Sequence, residues 1–153
     1  MEKIIKEPRD PGQRKRDVLG RLEREEDIWV ASAGSDGTPW LVPLWFLWDG
    51  TDVWLVTRTT RPTGRNLRDG RRARLAFGHT RDVVLIDGEV ETFARDSVPA
   101  AAAAAFTAKY GWDPSSDSPS YAWFRVRPRT VQALRGEYEM PGRHVMRDGA
   151  WLA

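Results

Sequence analysis

The stretch Pro39–Trp48, PWLVPLWFLW, constrains the fold more than any other part of the chain. Its even positions and most of its odd positions are apolar, so a strand here has no face that prefers water. A helix is disfavoured because Pro39 and Pro43 would each remove a backbone hydrogen bond and clash with the preceding turn. We therefore expect a long strand that packs one face inside a barrel. Its other face needs a partner subunit, a flat cofactor, or both.

The composition excludes several classes of function. The chain has 153 residues, enough for one domain with its own core. It contains no cysteine, which excludes disulfides, thiolate metal sites and thiol nucleophiles. Its only histidines, His79 and His144, argue against a metal site built on several histidines. The 24 basic and 22 acidic residues are interspersed rather than separated into a basic stripe, so we expect no nucleic-acid partner.

The sequence also lacks the usual signals for export or membrane insertion. Residues 1–17 have no apolar core of the kind that a signal peptide carries, and no apolar run reaches about 18 residues. We therefore expect a cytoplasmic protein that does not bind a membrane.

The periodicity of the remaining chain predicts one domain over residues 1–153, mainly β with short helices, in an antiparallel barrel. Residues 1–12 are interpreted as an arm, and the Asp87-Gly88 pair as a bulge or a turn. Residues 112–120 are predicted to form a loop, with turns at Pro141-Gly142 and Asp148-Gly149. Strands are predicted at Asp27–Ser32, Pro39–Trp48, Asp52–Thr57, Arg72–Phe77, Asp82–Phe93, Tyr121–Arg127 and Thr130–Leu134, and helices at Gln13–Glu26, Thr60–Gly70 (with Thr60 as its cap) and Ala100–Tyr110.

The segment after the third predicted strand is a candidate anion site. The start of a helix presents unpaired N–H groups and the positive end of the helix dipole, which together suit a phosphate. Guanidinium and hydroxyl donors surround this start, and both are suited to a phosphate monoester. The alternative interpretation is a capped surface helix with solvated arginines. The donors are Arg58, Thr59, Thr60, Arg61, Thr63 and Arg65.

The chain resembles the pyridoxamine 5′-phosphate oxidase-like superfamily, the FMN-binding split β-barrels. The resemblance lies in the order of three blocks within residues 27–95, and it extends weakly to about residue 136. It implies a homodimeric split antiparallel barrel with FMN at the subunit interface and a small-molecule substrate for flavin-dependent oxidoreduction. The blocks are TPWLVPLWFLWDG, DVWLVTRTTRPTGRNLRDGRRARLAFG and TRDVVLIDGEVE, followed by the weaker YAWFRVRPRTVQALRG.

The same resemblance implies which residues bind the cofactor. Backbone of residues 41–44 would bind the ring edge, while Asp82 would make a polar contact. The second subunit would contribute Leu134 and either Arg143 or His144. The strand along the ring matches Trp40, Leu41, Val42, Pro43, Leu44 and Trp45; the ribityl and phosphate contacts match Val56 and Thr57; and the phosphate turn matches Arg61, Pro62 and Thr63.

Departures from the family pattern leave two rival functions open. Many members carry Arg-Lys or a lone Lys where this chain has Pro62-Thr63, so Arg58, Arg61 or Arg65 would have to supply the charge. The first rival is a reductase that uses the deazaflavin F420, whose longer acidic tail would favour an extended basic groove. The second is a cofactor- or ligand-binding protein without turnover. The set of residues that grips pyridoxine phosphate in the true oxidases is missing, so that substrate is not expected.

Overall fold

The computed structural model describes residues 6–153, which form a closed six-stranded antiparallel barrel with three α-helices around it. The barrel order is β3-β2-β1-β4-β5-β6, and pairing of β3 with β6 closes it. Two short strands, β7 and β8, extend the sheet beyond β6. The elements are α1 (Pro11–Arg24), β1 (Asp27–Ala33), β2 (Pro39–Trp48), β3 (Val53–Arg58), α2 (Pro62–Gly70), β4 (Arg72–His79), β5 (Asp82–Phe93), α3 (Ala100–Tyr110), β6 (Tyr121–Leu134), β7 (His144–Arg147) and β8 (Ala150–Trp151).

The alternating apolar side chains of the strands fill two packed regions. The larger lies inside the barrel and includes Phe46, Leu55, Leu75 and Phe124, which are all fully buried. The smaller lies between the barrel wall and α3, around Trp54, Trp123 and Phe106. The predicted barrel architecture is therefore confirmed. None of the helices in residues 6–153 is long and apolar enough to cross a membrane.

The first helix begins earlier than the sequence predicted. It starts at Pro11 because Asp10 caps it, with a side-chain oxygen that accepts a hydrogen bond from Gln13 N–H at 3.1 Å. The predicted arm therefore loses its last two residues to the helix, and residues 1–5 of that arm lie outside the described part of the chain. The helix ends at Arg24, two residues before the predicted end.

Two predicted strands around Pro128 are in fact one continuous strand, β6. The β5–β6 register shifts where Pro128 faces Gly88, because β6 carries one extra residue there, Arg129. The irregularity predicted at Asp87-Gly88 is therefore a bulge, and its extra residue lies on β6. A proline has no N–H to donate and is tolerated where the ladder is already interrupted. The prediction of a break at Pro128 was wrong because the sequence alone does not show that pairing with β5 continues past the proline through a bulge.

The second helix carries the predicted phosphate turn. It begins at Pro62 with Arg61 as its N-cap, so the prediction that Thr60 caps it was wrong. The helix ends at Gly70 as predicted, and Arg71 takes the left-handed conformation with φ 56°. Leu67 is fully buried and fixes the helix against the barrel.

The strand β2 has the predicted bounds, and much of its outer face is uncovered in the single chain. Leu41 is 60% exposed and Trp45 44% exposed, while Trp29 on the neighbouring β1 is 48% exposed. Cross-strand pairing aligns four outer positions in one row from β2 to β5, namely Pro43, Trp29, Ala76 and Leu85. The strands thus present an apolar outer face, as expected from the sequence of β2.

Candidate functional site

A cavity of about 510 Å³ opens where β2 and β3 meet the turn that leads into α2. Such a volume is typical of small-molecule and cofactor pockets. One side of the cavity is apolar and largely aromatic, and arginines stand at the other. Its lining residues are Asp27, Pro43, Leu44, Trp45, Val56, Thr57, Arg58, Arg61, Phe106, Trp112 and Tyr121.

The aromatic side of the cavity is a connected group of rings. Trp45 stacks on Tyr110 with ring centroids 4.5 Å apart and planes within 5°. Trp112 meets Trp45 edge-on at 6.3 Å and Tyr121 edge-on at 5.1 Å. Phe106, on α3, packs against Trp112 at 6.3 Å. This arrangement offers a flat apolar surface of the kind that a planar ring prefers.

The polar side of the cavity comes from the end of β3 and the start of α2. The guanidinium of Arg58 lies over the Tyr121 ring, 5.1 Å from its centroid. Arg61 is exposed at the N-cap of α2, where the helix dipole adds further positive potential. Two guanidinium groups in one cavity suit a ligand that carries a phosphate or carboxylate.

The start of α2 also holds polar groups that lack protein partners. Among the described residues, the buried hydroxyl of Thr63 makes no hydrogen bond. No backbone carbonyl in that part of the chain accepts from the N–H groups of Thr63 or Gly64 either.

Gly64 is required at the start of α2, because an added Cβ would lie 2.1 Å from the carbonyl oxygen of Arg58. The helix start is therefore packed directly on the turn that lines the cavity.

Seven of the residues predicted from the sequence line this one cavity. The others of the phosphate turn lie beside it: Thr59 lines a neighbouring cavity of about 300 Å³, and Thr60, Pro62 and Thr63 belong to the turn and the helix start. The guanidinium of Arg65 instead donates to the carbonyl of Thr60 at 2.6 Å. The seven are Pro43, Leu44, Trp45, Val56, Thr57, Arg58 and Arg61.

Other predicted residues do not line the cavity in the single chain. Trp40, Leu41 and Val42 precede the part of β2 that does. Asp82 forms ion pairs with Arg21 at 3.3 Å and Arg135 at 3.4 Å. These two ion pairs account for the Asp82 carboxylate without a contact to a ligand.

The residues that the resemblance assigned to a second subunit lie near the C-terminal end of the chain. Arg143 donates to Gln132 at 3.2 Å and to the carbonyl of Met140 at 3.1 Å. His144 begins β7, and Leu134 is the last residue of β6. Their role across a subunit interface stays a prediction.

Four residues of the cavity were missed from the sequence, namely Asp27, Phe106, Trp112 and Tyr121. Three of them come from α3 and the chain that follows it, more than 40 residues after β3. The aromatic cluster around Tyr110 and Trp112 was a usable signal, because large rings beside a polar loop need a surface to cover.

The barrel and its cavity together define a protein of the split-barrel class. The chain belongs to the pyridoxamine 5′-phosphate oxidase family, whose model matches residues 16–135. This match confirms the family resemblance that the sequence blocks indicated. No curated protein matches the chain.

Solved structures share the fold at low sequence identity. The heme storage protein HutZ from Vibrio cholerae superposes with a TM-score of 0.69 at 14% identity, covering 78% of this chain and 94% of that one. An F420 reductase superposes with a TM-score of 0.61 at 23% identity, covering 73% and 93%. A heme-binding protein from Mycobacterium smegmatis gives 0.67 at 19% identity, covering 95% and 60%. At these identities the likeness establishes the fold alone.

Proposed function

We propose that this chain is an FMN-binding oxidoreductase that acts on a small molecule, and that it binds the flavin in the cavity between β2, β3 and α2. The observation that carries the proposal is one cavity with a stacked aromatic wall at Trp45 and two guanidinium groups at Arg58 and Arg61. FMN has the matching chemistry, since it joins a planar ring to a phosphate.

The residues at the start of α2 fit the phosphate of such a cofactor. The unpartnered hydroxyl of Thr63 and the free N–H groups of the first turn are donors, and phosphate oxygens are acceptors. Arg58 and Arg61 would supply the charge that many family members obtain from a lysine. The side chains of Leu44 and Trp45 would exclude water from one face of the ring. Bound there, the flavin itself supplies the hydride chemistry.

We also propose that the protein is a homodimer that covers the exposed outer row of β2, β1, β4 and β5. This row holds Trp29 and Pro43, and exposed large apolar side chains on one sheet face favour a protein interface. A second copy would enclose the ligand from the side that the single chain leaves open. The cytoplasmic location stays a prediction from the sequence.

The variant Trp29→Glu is expected to dissociate the dimer. It places an unpaired carboxylate in the middle of the apolar row, and desolvating such a charge costs several kcal/mol. Light scattering after gel filtration should give twice the chain mass of 17.4 kDa for the wild type and that mass for the variant. Leu152→Glu is the matched control, because Leu152 is also exposed, at 54%, but lies in the tail. A wild type that runs as one chain would refute the dimer.

A specific feature favours F420 as the alternative cofactor. The neighbouring cavity of about 300 Å³ shares Tyr121 with the main one and is also lined by Arg95 and Ser120. A ligand with a long acidic tail could extend from the first cavity into the second. The arginine there gives this extension a basic group, although Asp96 lies beside it.

The experiment that separates these functions is a set of ligand titrations on the purified protein. Purified protein that shows flavin absorbance, and that releases the flavin on denaturation, supports FMN. A colourless protein that changes the fluorescence of added F420 in a titration supports the deazaflavin. A strong heme absorbance after addition of heme would instead favour heme binding, as in two of its structural neighbours. Flavin binding without reduction by any nicotinamide donor would favour a binding protein without turnover.

The variant Arg61→Ala is expected to weaken FMN binding. Loss of one charged hydrogen bond to phosphate costs about 1.5–3 kcal/mol, which is roughly a ten- to 150-fold increase in Kd. Arg65→Ala is the control, because the Arg65 guanidinium is occupied by the Thr60 carbonyl. The measurement is quenching of flavin fluorescence. An unchanged Kd for Arg61→Ala would place the phosphate elsewhere.

A further inference from the structure

The wall of the cavity depends on a residue that does not line it, Tyr110. Trp45 lines the cavity and is 44% exposed, and its other aromatic neighbour, Trp112, meets it edge-on at 6.3 Å. Tyr110 covers one face of that ring, with centroids 4.5 Å apart and planes within 5°. A stacked partner that is itself fixed would hold the plane of Trp45 in one orientation.

The far end of Tyr110 is fixed to the backbone of the barrel. Its hydroxyl accepts a hydrogen bond from Phe46 N–H at 3.0 Å and donates to the carbonyl of Glu26 at 2.8 Å. Phe46 N–H also donates directly to the Glu26 carbonyl at 3.1 Å, one residue beyond the last pair of the β1–β2 ladder, so the hydroxyl binds to the end of this ladder. Burial raises the pKa of Tyr110 to about 12, which keeps its proton available for donation.

The residue before Tyr110 makes a second attachment to the same place. The ammonium of Lys109 donates to the carbonyl of Glu25 at 2.6 Å and to that of Phe46 at 2.9 Å. These contacts matter because α3 buries only Ala102 and Phe106 against the barrel. The C-terminal end of α3 is thus aligned with the end of the β1–β2 ladder by polar contacts from two consecutive side chains.

We propose that Tyr110 is a positioning residue that fixes the plane of Trp45 and so shapes the surface on which a planar ligand ring rests. The proposal builds on the FMN-binding function proposed above and extends the site to a residue outside the cavity. Tyr110 acts through Trp45 and requires no contact with the ligand. Its effect should therefore fall on the ring and not on the phosphate.

The test compares Tyr110→Leu, which removes the ring, with Tyr110→Phe, which keeps it. Tyr138→Leu is the control, because Tyr138 is a half-buried tyrosine that makes no stacking contact with Trp45. The first readout is the indole N–H resonance of Trp45 in the ligand-free protein, assigned with Trp45→Phe. We expect this resonance to move in Tyr110→Leu, to move less in Tyr110→Phe, and to stay in Tyr138→Leu.

The second readout is ligand affinity, measured well below the melting temperature of each variant. Tyr110→Leu should raise the Kd of FMN about three- to tenfold, and the Kd of riboflavin by the same factor, because riboflavin has the ring without the phosphate. Tyr110→Phe should keep most of the wild-type affinity for both ligands. A loss of FMN affinity alone, with riboflavin unaffected, would overturn the proposal.

The two readouts separate failure of this proposal from failure of the proposed function. An unmoved Trp45 resonance in Tyr110→Leu overturns the positioning role whether or not flavin binds. A wild type that binds no flavin, combined with a moved resonance, overturns FMN binding while it supports control of Trp45 by Tyr110.

Discussion

Replacing Gly64 by alanine is expected both to destabilise the fold and to distort the turn that lines the cavity. The added Cβ would lie 2.1 Å from the Arg58 carbonyl oxygen and 3.0 Å from the Thr59 Cα. Both atoms belong to backbone, so the turn itself would have to move. Overpacking of this kind costs about 3 kcal/mol, which outweighs the gain of about 1 kcal/mol that alanine brings to a helix. Urea unfolding should show the loss as a lower midpoint.

The matched control for this variant is Gly70→Ala in the same helix. The nearest atom to a Cβ at Gly70 is the Ala33 carbonyl oxygen, at 4.0 Å, so alanine fits there. We expect Gly70→Ala to leave stability and FMN affinity unchanged or slightly improved. Equal stability of the two variants would show that the contact of Gly64 with Arg58 is not a close one.

The variant Glu139→Gln should lose a large part of the stability of the protein at neutral pH. Glu139 is fully buried and accepts hydrogen bonds from the Arg9 guanidinium at 2.6 Å and 2.9 Å, and from Arg135 N–H at 2.8 Å. The guanidinium of Arg14, which is also buried, lies 3.6 Å from Oε2 of Glu139. Breaking a buried pair leaves an uncompensated charge and costs about 3–5 kcal/mol. Thermal and urea unfolding measure this loss.

The same group predicts the behaviour of the wild type in acid. Burial alone would raise the pKa of Glu139, but hydrogen bonds from Arg9 bring it to about 2, below the ordinary 4.5. A lowered carboxyl pKa gives stability that is complete above pH 4.5 and is lost as the pH falls towards 2. The difference between wild type and Glu139→Gln should therefore shrink across this range.

The control for the acid titration is Glu137→Gln, which changes an exposed carboxylate two residues away. We expect it to unfold as the wild type does at every pH. A constant difference between wild type and Glu139→Gln from pH 7 to pH 2 would contradict the depressed pKa.

Much of the barrel could be predicted because its strands carry their own boundaries. The apolar run of β2 and the Asp49-Gly50 turn fix two neighbouring strands, and Asp82–Phe93 is one strand with an internal Asp-Gly pair. One error lies where pairing with a strand distant in sequence determines the structure, and the other lies where a local helix cap went unrecognised. The continuity of β6 through Pro128 depends on the bulge at Arg129, where β6 pairs with β5, and the start of α1 depends on the cap that Asp10 provides.

The site was predictable on one side only. The cationic side follows from a local segment, because Arg58 and Arg61 flank a turn that the sequence itself marks. The aromatic side requires α3 to pack against β2, and its six consecutive alanines, Ala100–Ala105, do not indicate which face is buried. The tertiary contacts of Phe106 and Tyr110 decide this, and local periodicity does not encode them.

The most direct test of a cavity that holds a phosphorylated ring is a fluorescence titration of the wild type with FMN and with riboflavin. The two ligands share the ring and differ in the phosphate. The ratio of their Kd values therefore measures how much the donors at Arg58, Arg61 and the start of α2 contribute to binding. We predict that both ligands bind and that FMN binds more tightly by at least the roughly ten- to 150-fold expected for one charged hydrogen bond to phosphate. Equal affinity for the two ligands, or no binding of either, would contradict the proposed site.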